Sequence, residues 1–283
     1  MEHAPLVTLL TDFGLTDGYV GTMKGVVLSI APRARLVDIS HEIAPQDVAQ
    51  AAYVLYVSCP FFPAHSVHLV VVDPGVGGTR RSIALSTPSG MFVGPDNGVF
   101  SYVMYREPVK TVVELSESRF RLVSISQTFH GRDIFAPAAA HLATGVPITA
   151  LGPSVTDPVM LPRPTLGLAD GGIVGEVMHI DHFGNVISSI GRLCWEQDAL
   201  LLQSAFGQLQ EPVRFGAAQA VVEMAGYEST GVRHTYAEAE AGMPLVLVGS
   251  SGHLEIAVRN GSAAEELGLR RGDKVIVRLT GGQ

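Results

Sequence analysis

The residues best suited to chemistry in this chain are carboxylates, two adjacent arginines and a histidine, all set in glycine-rich loops. Asp12 and Asp17 flank Gly14 in TDFGLTDG, and Asp73 opens DPGVGGTRR, which closes on Arg80 and Arg81. His130 precedes Gly131 in TFHGRDIFAP. Paired carboxylates can accept hydrogen bonds from vicinal hydroxyls or from an ammonium group, but an Asp ahead of a helix also serves as an N-cap. Glycines permit close backbone approach to a ligand and equally serve plain turns. DPGVGGTRR is not a P-loop, because the Lys-Ser/Thr pair that would hold phosphate and magnesium is missing. A lone histidine is often a structural residue. His65 with His68 and His179 with His182 are spaced like metal ligands, yet no third ligand converges on either pair, so no metal site is expected.

Two later segments, DHFGN (181–185) and GSSGHLEIAV (249–258), read as binding turns. Asn185 offers both a donor and an acceptor, which suits a nucleobase edge such as adenine; a simple Asn turn after a strand is the competing reading.

The elements that must position these groups follow from periodicity. LVTLLTD (6–12) reads as a buried strand, Tyr19 to Ile30 carries helical spacing, and LVDIS, a helix opened by Pro45 and Asp47, and VHLVVVD up to Asp73 repeat the alternation. Strand and helix in alternation predict an α/β domain with a mostly parallel sheet. A hairpin-like stretch (SIALSTPSGMFVGPDNG) and a helical RDIFAPAAAHLATG complete it. In such sheets ligands lie beyond the carboxyl ends of the strands, where the loops of Asp12 and Asp73 fall. The Pro- and Gly-rich stretch after residue 157 has a linker's composition. From Gly172 short strands alternate with turns, as expected of a smaller all-β, barrel-like domain. The expected division is 1–157, a linker at 158–171, and 172–283.

Composition narrows the partners. With 47% hydrophobic and 16% charged residues the chain is globular, and a formal net charge of −8 without a basic cluster disfavours nucleic acid and anionic membranes. The N-terminus lacks a basic n-region followed by an apolar segment, and no apolar run nears the ~20 residues needed to span a bilayer, so a cytoplasmic protein is expected. Cys59 and Cys194 lie far apart without a CxxC spacing and are expected to be buried free thiols.

Taken together, TDFGLTDGYVGTMKG, VVDPGVGGTRR, GPDNGVF, TFHGRDIFAPAAAHLA, IDHFGNVISSI and LVGSSGHLEIAV resemble the S-adenosyl-L-methionine (SAM) hydroxide adenosyltransferase family, relatives of SAM-dependent fluorinating and chlorinating enzymes. The resemblance implies hydrolysis of SAM to adenosine and methionine, with SAM as substrate and no cofactor. It implies a homotrimer whose site lies between the N-terminal domain of one subunit and the C-terminal domain of its neighbour. By the same resemblance Asp73, Arg80 and His130 are catalytic, Arg80 matching better than Arg81. Asp12 would meet the ribose hydroxyls, Asp17 the methionine ammonium, Asn185 adenine, Ser250 the methionine end, Tyr236 the adenine face and the backbone near Val258 the adenine edge. The halogenating relatives carry a tyrosine where Asp73 stands, a serine where Gly131 stands and a tryptophan where Gln46 stands, so this chain resembles the water-using branch. A SAM- or adenosine-binding protein without turnover is the alternative, and a halogenase a more distant one.

The chemistry implied is in-line displacement at ribose C5′. The sulfonium is already a good leaving group, and the scarce element is an oriented water. A carboxylate of ordinary pKa, ~3.9, is a weak base, so Asp73 needs help from its surroundings.

Overall fold

The computed structural model describes residues 4–169 and 171–279. The chain divides into two compact units, Met1–Pro162 and Arg163–Gln283, and the division falls inside the segment read as a linker.

In the first unit β1 (Leu6–Thr11), β2 (Arg35–Ser40), β3 (Val67–Val71), β4 (Ser82–Thr87), β5 (Gly90–Pro95) and β6 (Thr111–Glu114) form one sheet ordered β2-β1-β3-β5-β4-β6. β1 runs parallel to β2 and β3, and β3 to β5, while β4 is antiparallel to β5 and β6. Helices α1 (Tyr19–Ile30), α2 (Val48–Ser58), α3 (Ser101–Arg106) and α4 (Ala136–Ala143) complete the unit. Successive side chains on a strand face opposite ways, which is why β1 and β3 read as unbroken apolar runs. Leu9, Leu69 and Val71 join Met23 and Val27 of α1 and the alanines of α4 in one core. Leu10, Val70 and Val72 join Ala51 and Leu55 of α2 and Val103 of α3 in another. Asp47 caps α2 as expected, accepting from the Gln50 amide at 2.9 Å.

This order fixes the site. The chain leaves β1 toward β2 on one side and leaves β3 toward β4 and β5 on the other, so the connections part between β1 and β3. A crevice is favoured at that point; Asp12 follows β1 directly, and Asp73 lies just past the end of β3, after Val72.

The second unit is all-β. Its strands are β7 (Leu166–Ala169), β8 (Gly172–Ile180), β9 (Val186–Gly191), β10 (Leu193–Glu196), β11 (Ala199–Leu202), β12 (Val213–Gly216), β13 (Val221–Met224), β14 (Tyr227–Thr230), β15 (Val232–Arg233), β16 (Pro244–Val248), β17 (His253–Val258) and β18 (Lys274–Arg278). A short helix, α5 (Ala263–Glu266), precedes β18. The main sheet is barrel-like and runs β14-β13-β18-β8-β9-β17-β16-β15, with β7 on β8; β10, β11 and β12 form a separate small sheet. β7 lies within the expected linker: Leu166 is buried and Leu166–Ala169 pairs antiparallel with Gly172–Gly175, so the polypeptide there is strand despite its Pro and Gly content. Cys59 is buried as expected, but Cys194 is exposed. Leu193 beside it on β10 points into the core, and strand alternation turns the thiol outward. Among the described residues no helix is long and apolar enough to cross a membrane.

The loop between β3 and β4 has little latitude. Gly77 has φ +76°, and a Cβ there would stand 2.3 Å from the Gln127 carbonyl oxygen, in the loop that leads to His130. Gly77→Ala therefore combines a left-handed backbone penalty with a backbone clash, and urea denaturation should show a loss of about 1–3 kcal/mol. An unchanged midpoint would mean that the two loops are not held together there.

Candidate active site

Asp12, Asp73 and His130 line one cleft of about 400 Å³ in the first unit, together with Gln46, Tyr19 and Phe129. The two aspartates arrive at the ends of β1 and β3. His130 arrives from the 121–130 loop and is followed by a π-helical turn, Gly131–Phe135, that runs into α4. Such turns recur at functional positions because they re-aim one residue without breaking the helix. Ile134 and Phe135, both buried, fix the turn in the core.

Arg80 joins the groups. Its Nε donates to Asp73 Oδ1 at 2.8 Å, its Nη2 donates to Asp73 Oδ2, and the same Nη2 lies 2.8 Å from His130 Nδ1. Nη1 donates to Ser82 Oγ at 2.8 Å, and the guanidinium lies 5.2 Å from the centroid of the Phe135 ring. The ion pair is largely withdrawn from water, the Asp73 side chain being 5% exposed and that of Arg80 11%. A guanidinium has donors and no acceptor, so Nδ1 of His130 must be the acceptor. The neutral ring therefore carries its proton on Nε2. Burial, and then the Arg80 charge, hold the His130 pKa below its ordinary value of 6.5, which keeps this neutral tautomer at pH 7.

Arg81 points elsewhere. Its Nε donates to Asp96 Oδ2 at 2.8 Å and its Nη1 to Asp157 Oδ1 at 2.7 Å. Asp96 also accepts from the Val159 amide, and Asn97 Nδ2 donates to the Val72 carbonyl at 2.9 Å. The GPDNGVF motif is thus scaffolding that holds the exit of β3, next to Asp73.

Asp12 does not cap α1, whose N-cap is Gly18 with no side-chain bond. Instead its Oδ2 accepts from the Gln46 amide at 2.8 Å, and Gln46 adopts φ +68°, a conformation uncommon outside glycine. Gln46 thereby forms the wall of the cleft beside Asp12. Asp17 is exposed and lies outside this lining. Phe13, Tyr19 and Phe129 pack edge to face and tilted with centroids 5.2–5.9 Å apart, giving the cleft an aromatic rim. A Cβ on Gly131 would stand 3.1 Å from Met23 Sδ and 3.3 Å from the Phe129 ring, so a larger residue there would crowd its neighbours. Of the histidines spaced like metal ligands, His68 is fully buried, bonded to Thr8 Oγ1 at 2.8 Å and stacked on Phe92. Burial holds its pKa down at about 4, the behaviour of a packed core group.

The remaining candidates line a second cleft, of about 880 Å³, in the second unit: Asn185, Tyr236, Ser250 and Val258, with Asp181 and Glu255. Asp181 Oδ1 accepts from the amides of Phe183 and Asn185, both at 2.9 Å, and its Oδ2 accepts from Asn185 Nδ2 at 3.0 Å. A carboxylate only accepts, so the Asn185 amide nitrogen faces Asp181 and its carbonyl oxygen is left for a ligand. Gly184 makes the turn possible, with φ +81° and no room for a Cβ against Ser262. Tyr236, on a turn of 3-10 helix, donates its hydroxyl to Glu255 Oε1 at 2.5 Å. Burial raises the pKa of both groups, reinforced for Tyr236 by this bond. Glu255 and Asp181 carried no role in the sequence reading. Their motifs were visible, but a carboxylate inside a strand or turn gives no sign in sequence of facing a cleft.

Comparison with known proteins agrees with this layout. Residues 7–152 match the family model of the SAM hydroxide adenosyltransferase N-terminal domain, and residues 175–276 that of the C-terminal domain. The chain is 39% identical to an (R)-S-adenosyl-L-methionine hydrolase of Salinispora tropica, covering 100% of both chains. It is 40% identical to a protein of the same name from Thermus thermophilus, over 94% of this chain and 96% of the relative. A fluorinase of Actinoplanes sp. is 27% identical over 96% of this chain and 97% of its own length. A solved structure of an uncharacterized conserved protein from Thermotoga maritima superposes with a TM-score of 0.84 at 35% identity, covering 96% of this chain and 99% of that one. With both domain models matched in order and these relatives spanning its length, the chain belongs to the SAM hydroxide adenosyltransferase family.

Proposed function

We propose that this protein hydrolyses (R)-S-adenosyl-L-methionine to adenosine and L-methionine in the cytoplasm, with water attacking ribose C5′. The observation that carries the reading is the Asp73–Arg80–His130 cluster, of which Asp73 and His130 line the first cleft. The hydrolases named above, similar along their whole length, support it.

The geometry suits orientation of a single water. Each Asp73 oxygen accepts from Arg80, which aims the carboxylate and leaves lone pairs for a water O–H. His130 presents Nε2–H as a second, donating contact. A water held between an acceptor and a donor has its remaining lone pair directed at the reacting carbon, and such positioning lowers a barrier by several kcal/mol. The new C5′–O bond forms as the C5′–S bond breaks. Its electron pair stays on sulfur, which leaves as the neutral thioether of methionine, and the water proton passes to Asp73 and then to solvent. A sulfonium leaving group needs neither a Lewis acid nor a redox group, so the reading includes no metal or cofactor. Because the sulfonium loses its charge in the transition state, a carboxylate against sulfur would stabilise the ground state more and slow the reaction. The reading therefore puts Asp12 on the ribose hydroxyls, and Asn185, Tyr236 and the Val258 backbone around adenine, with Ser250 and Asp17 at the methionine end.

In this proposal the active unit is a homotrimer, and the first cleft of one copy faces the second cleft of the next. The distribution of groups supports it: the cluster that activates water and the Asn185 and Tyr236 cleft lie on different units of the chain.

Purified protein incubated with SAM should yield adenosine and methionine in equal amounts; S-adenosylhomocysteine with a methylated acceptor would refute hydrolysis. Arg80→Lys should lower kcat by about 10²–10³, because an ammonium cannot hold both Asp73 oxygens and His130 Nδ1 at once. A kcat within threefold of wild type would remove Arg80 from the mechanism.

The pH profile follows from His130. Its pKa is depressed, so the neutral ring persists below pH 6.5; protonation at lower pH places a cation against Arg80 and removes the Nδ1 acceptor. We expect kcat/KM to be level at neutral pH and to fall on the acid side with an apparent pKa below 6.5. An acid limb centred above 7 would contradict this assignment.

Asp73→Asn and Asn185→Asp should each be nearly inactive, the second because it sets a carboxylate against Asp181. Co-expressed, they should recover part of the activity through mixed trimers in which one interface has both intact halves. Mixed trimers verified by mass but no more active than either single variant would mean that each chain keeps its own complete site.

A further inference from the structure

In the second cleft the Tyr236 ring lines the wall half-exposed, on a turn that is fastened at several points. Glu238 Oε1 accepts from the amides of His234 and Thr235 at 3.0 and 3.1 Å. Arg259 Nη1 donates to the Ala239 carbonyl at 2.7 Å. The phenol tip is tied to Glu255 Oε1. Glu255 and Arg259 come from β17 and the residue just after it, so the aromatic turn is docked on one strand by two side chains.

Glu255 is unusual in this setting. It is 6% exposed, and among the described residues the only hydrogen bond of its side chain is to Tyr236 Oη, with no Lys or Arg paired to it. Burying a carboxyl group without a cation is costly, and a core position on a strand would ordinarily carry an apolar residue. The backbone has also been shaped around it: a Cβ on Gly249 would lie 2.3 Å from Glu255 Oε2, so the first glycine of GSSG leaves room for this carboxyl group. Packing alone does not account for a cation-free buried carboxyl, a glycine that makes space for it and a half-exposed ring fastened by its hydroxyl.

We propose that Glu255 is a positioning residue for substrate binding, which fixes the Tyr236 ring as a rigid wall against which the planar base stacks. An untethered tyrosine would sample several χ1 rotamers and have to be ordered by each incoming ligand, and ordering one rotamer-rich side chain costs binding free energy. The tether removes that cost in advance while leaving the residue half-exposed in the cleft. This rests on the substrate reading above, in that adenine is the base concerned.

The test is a double-mutant cycle on the full-length protein with Tyr236→Phe, which keeps the ring and removes the tether, Glu255→Gln, which keeps an acceptor, and Glu255→Ala. Adenosine affinity by direct titration and KM and kcat for SAM are the readouts. Loss of one positioning hydrogen bond should weaken adenosine binding and raise KM about fivefold in Tyr236→Phe and Glu255→Ala, with the loss falling on KM rather than kcat. Glu255→Gln should recover most of it, and the Tyr236→Phe/Glu255→Ala pair should bind no worse than the weaker single variant, since both remove the same bond. Wild-type adenosine affinity in Tyr236→Phe, or additive losses in the pair, overturns the tether. Wild-type protein that binds adenosine with the expected variant pattern yet releases none from SAM overturns hydrolysis and leaves the tether standing.

Discussion

The first unit is organised around one guanidinium. Arg80 reaches Asp73 by two hydrogen bonds, His130 by a third and Ser82 by a fourth, and its flat face lies over Phe135. A buried cation of this kind is tolerable only while its partners stay in place, so the loop after β3, the start of β4 and the π-helical turn after His130 must converge. The donor-only character of the group also sets the proton on His130. One constraint thus fixes the orientation of the Asp73 carboxylate and the tautomer of His130.

The convergence needs a frame that does not move. β3 is buried along its whole length between β1 and β5, with a separate apolar core on each face of the sheet. Its exit is held by Asn97 on the Val72 carbonyl, and the following loop is locked at Gly77 against Gln127. Asp12 is aimed the same way, by a backbone amide from Gln46 rather than by a side chain. Groups placed at the ends of buried strands share the precision of the rigid sheet that carries them.

The second unit is organised by paired polar groups rather than by one cation. Its cleft is built on turns whose backbone amides and side chains satisfy one another, notably Asp181 with Asn185 and Tyr236 with Glu255. These pairs decide which polar atom is left to face a ligand. Asn185 has its carbonyl oxygen turned away from Asp181 because one N–H of its amide is donated there, which fixes the way round the amide sits. A sheet that closes into a barrel-like wall is suited to this, since its turns are anchored at both ends by ladder hydrogen bonds.

The sequence by itself determined the elements whose signal is local. The apolar runs of β1 and β3, the helical spacing of α1, the Asp47 cap and the β4–β5 hairpin are all where periodicity and turn residues put them, and six motifs in order carried the family. Strands of four residues or fewer between 193 and 233, and β7 inside a Pro- and Gly-rich segment, were not legible, because so short a run has no period to detect and pairing partners decide it. The exposure of Cys194 turned on the register of β10. At the site, residue types were legible and directions were not. Arg80 and Arg81 are neighbours of the same kind, and only the folded path of the loop before β4 gives one to Asp73 and the other to Asp96. Asp12 and Asp17 look equivalent around Gly14, yet one lines the cleft and the other faces solvent. The His130 tautomer and the Glu255 tether depend on partners 50 and 19 residues away. Chemistry at a single position is written in the side chain, whereas its aim is set by long-range contacts, which exist only once the chain has folded.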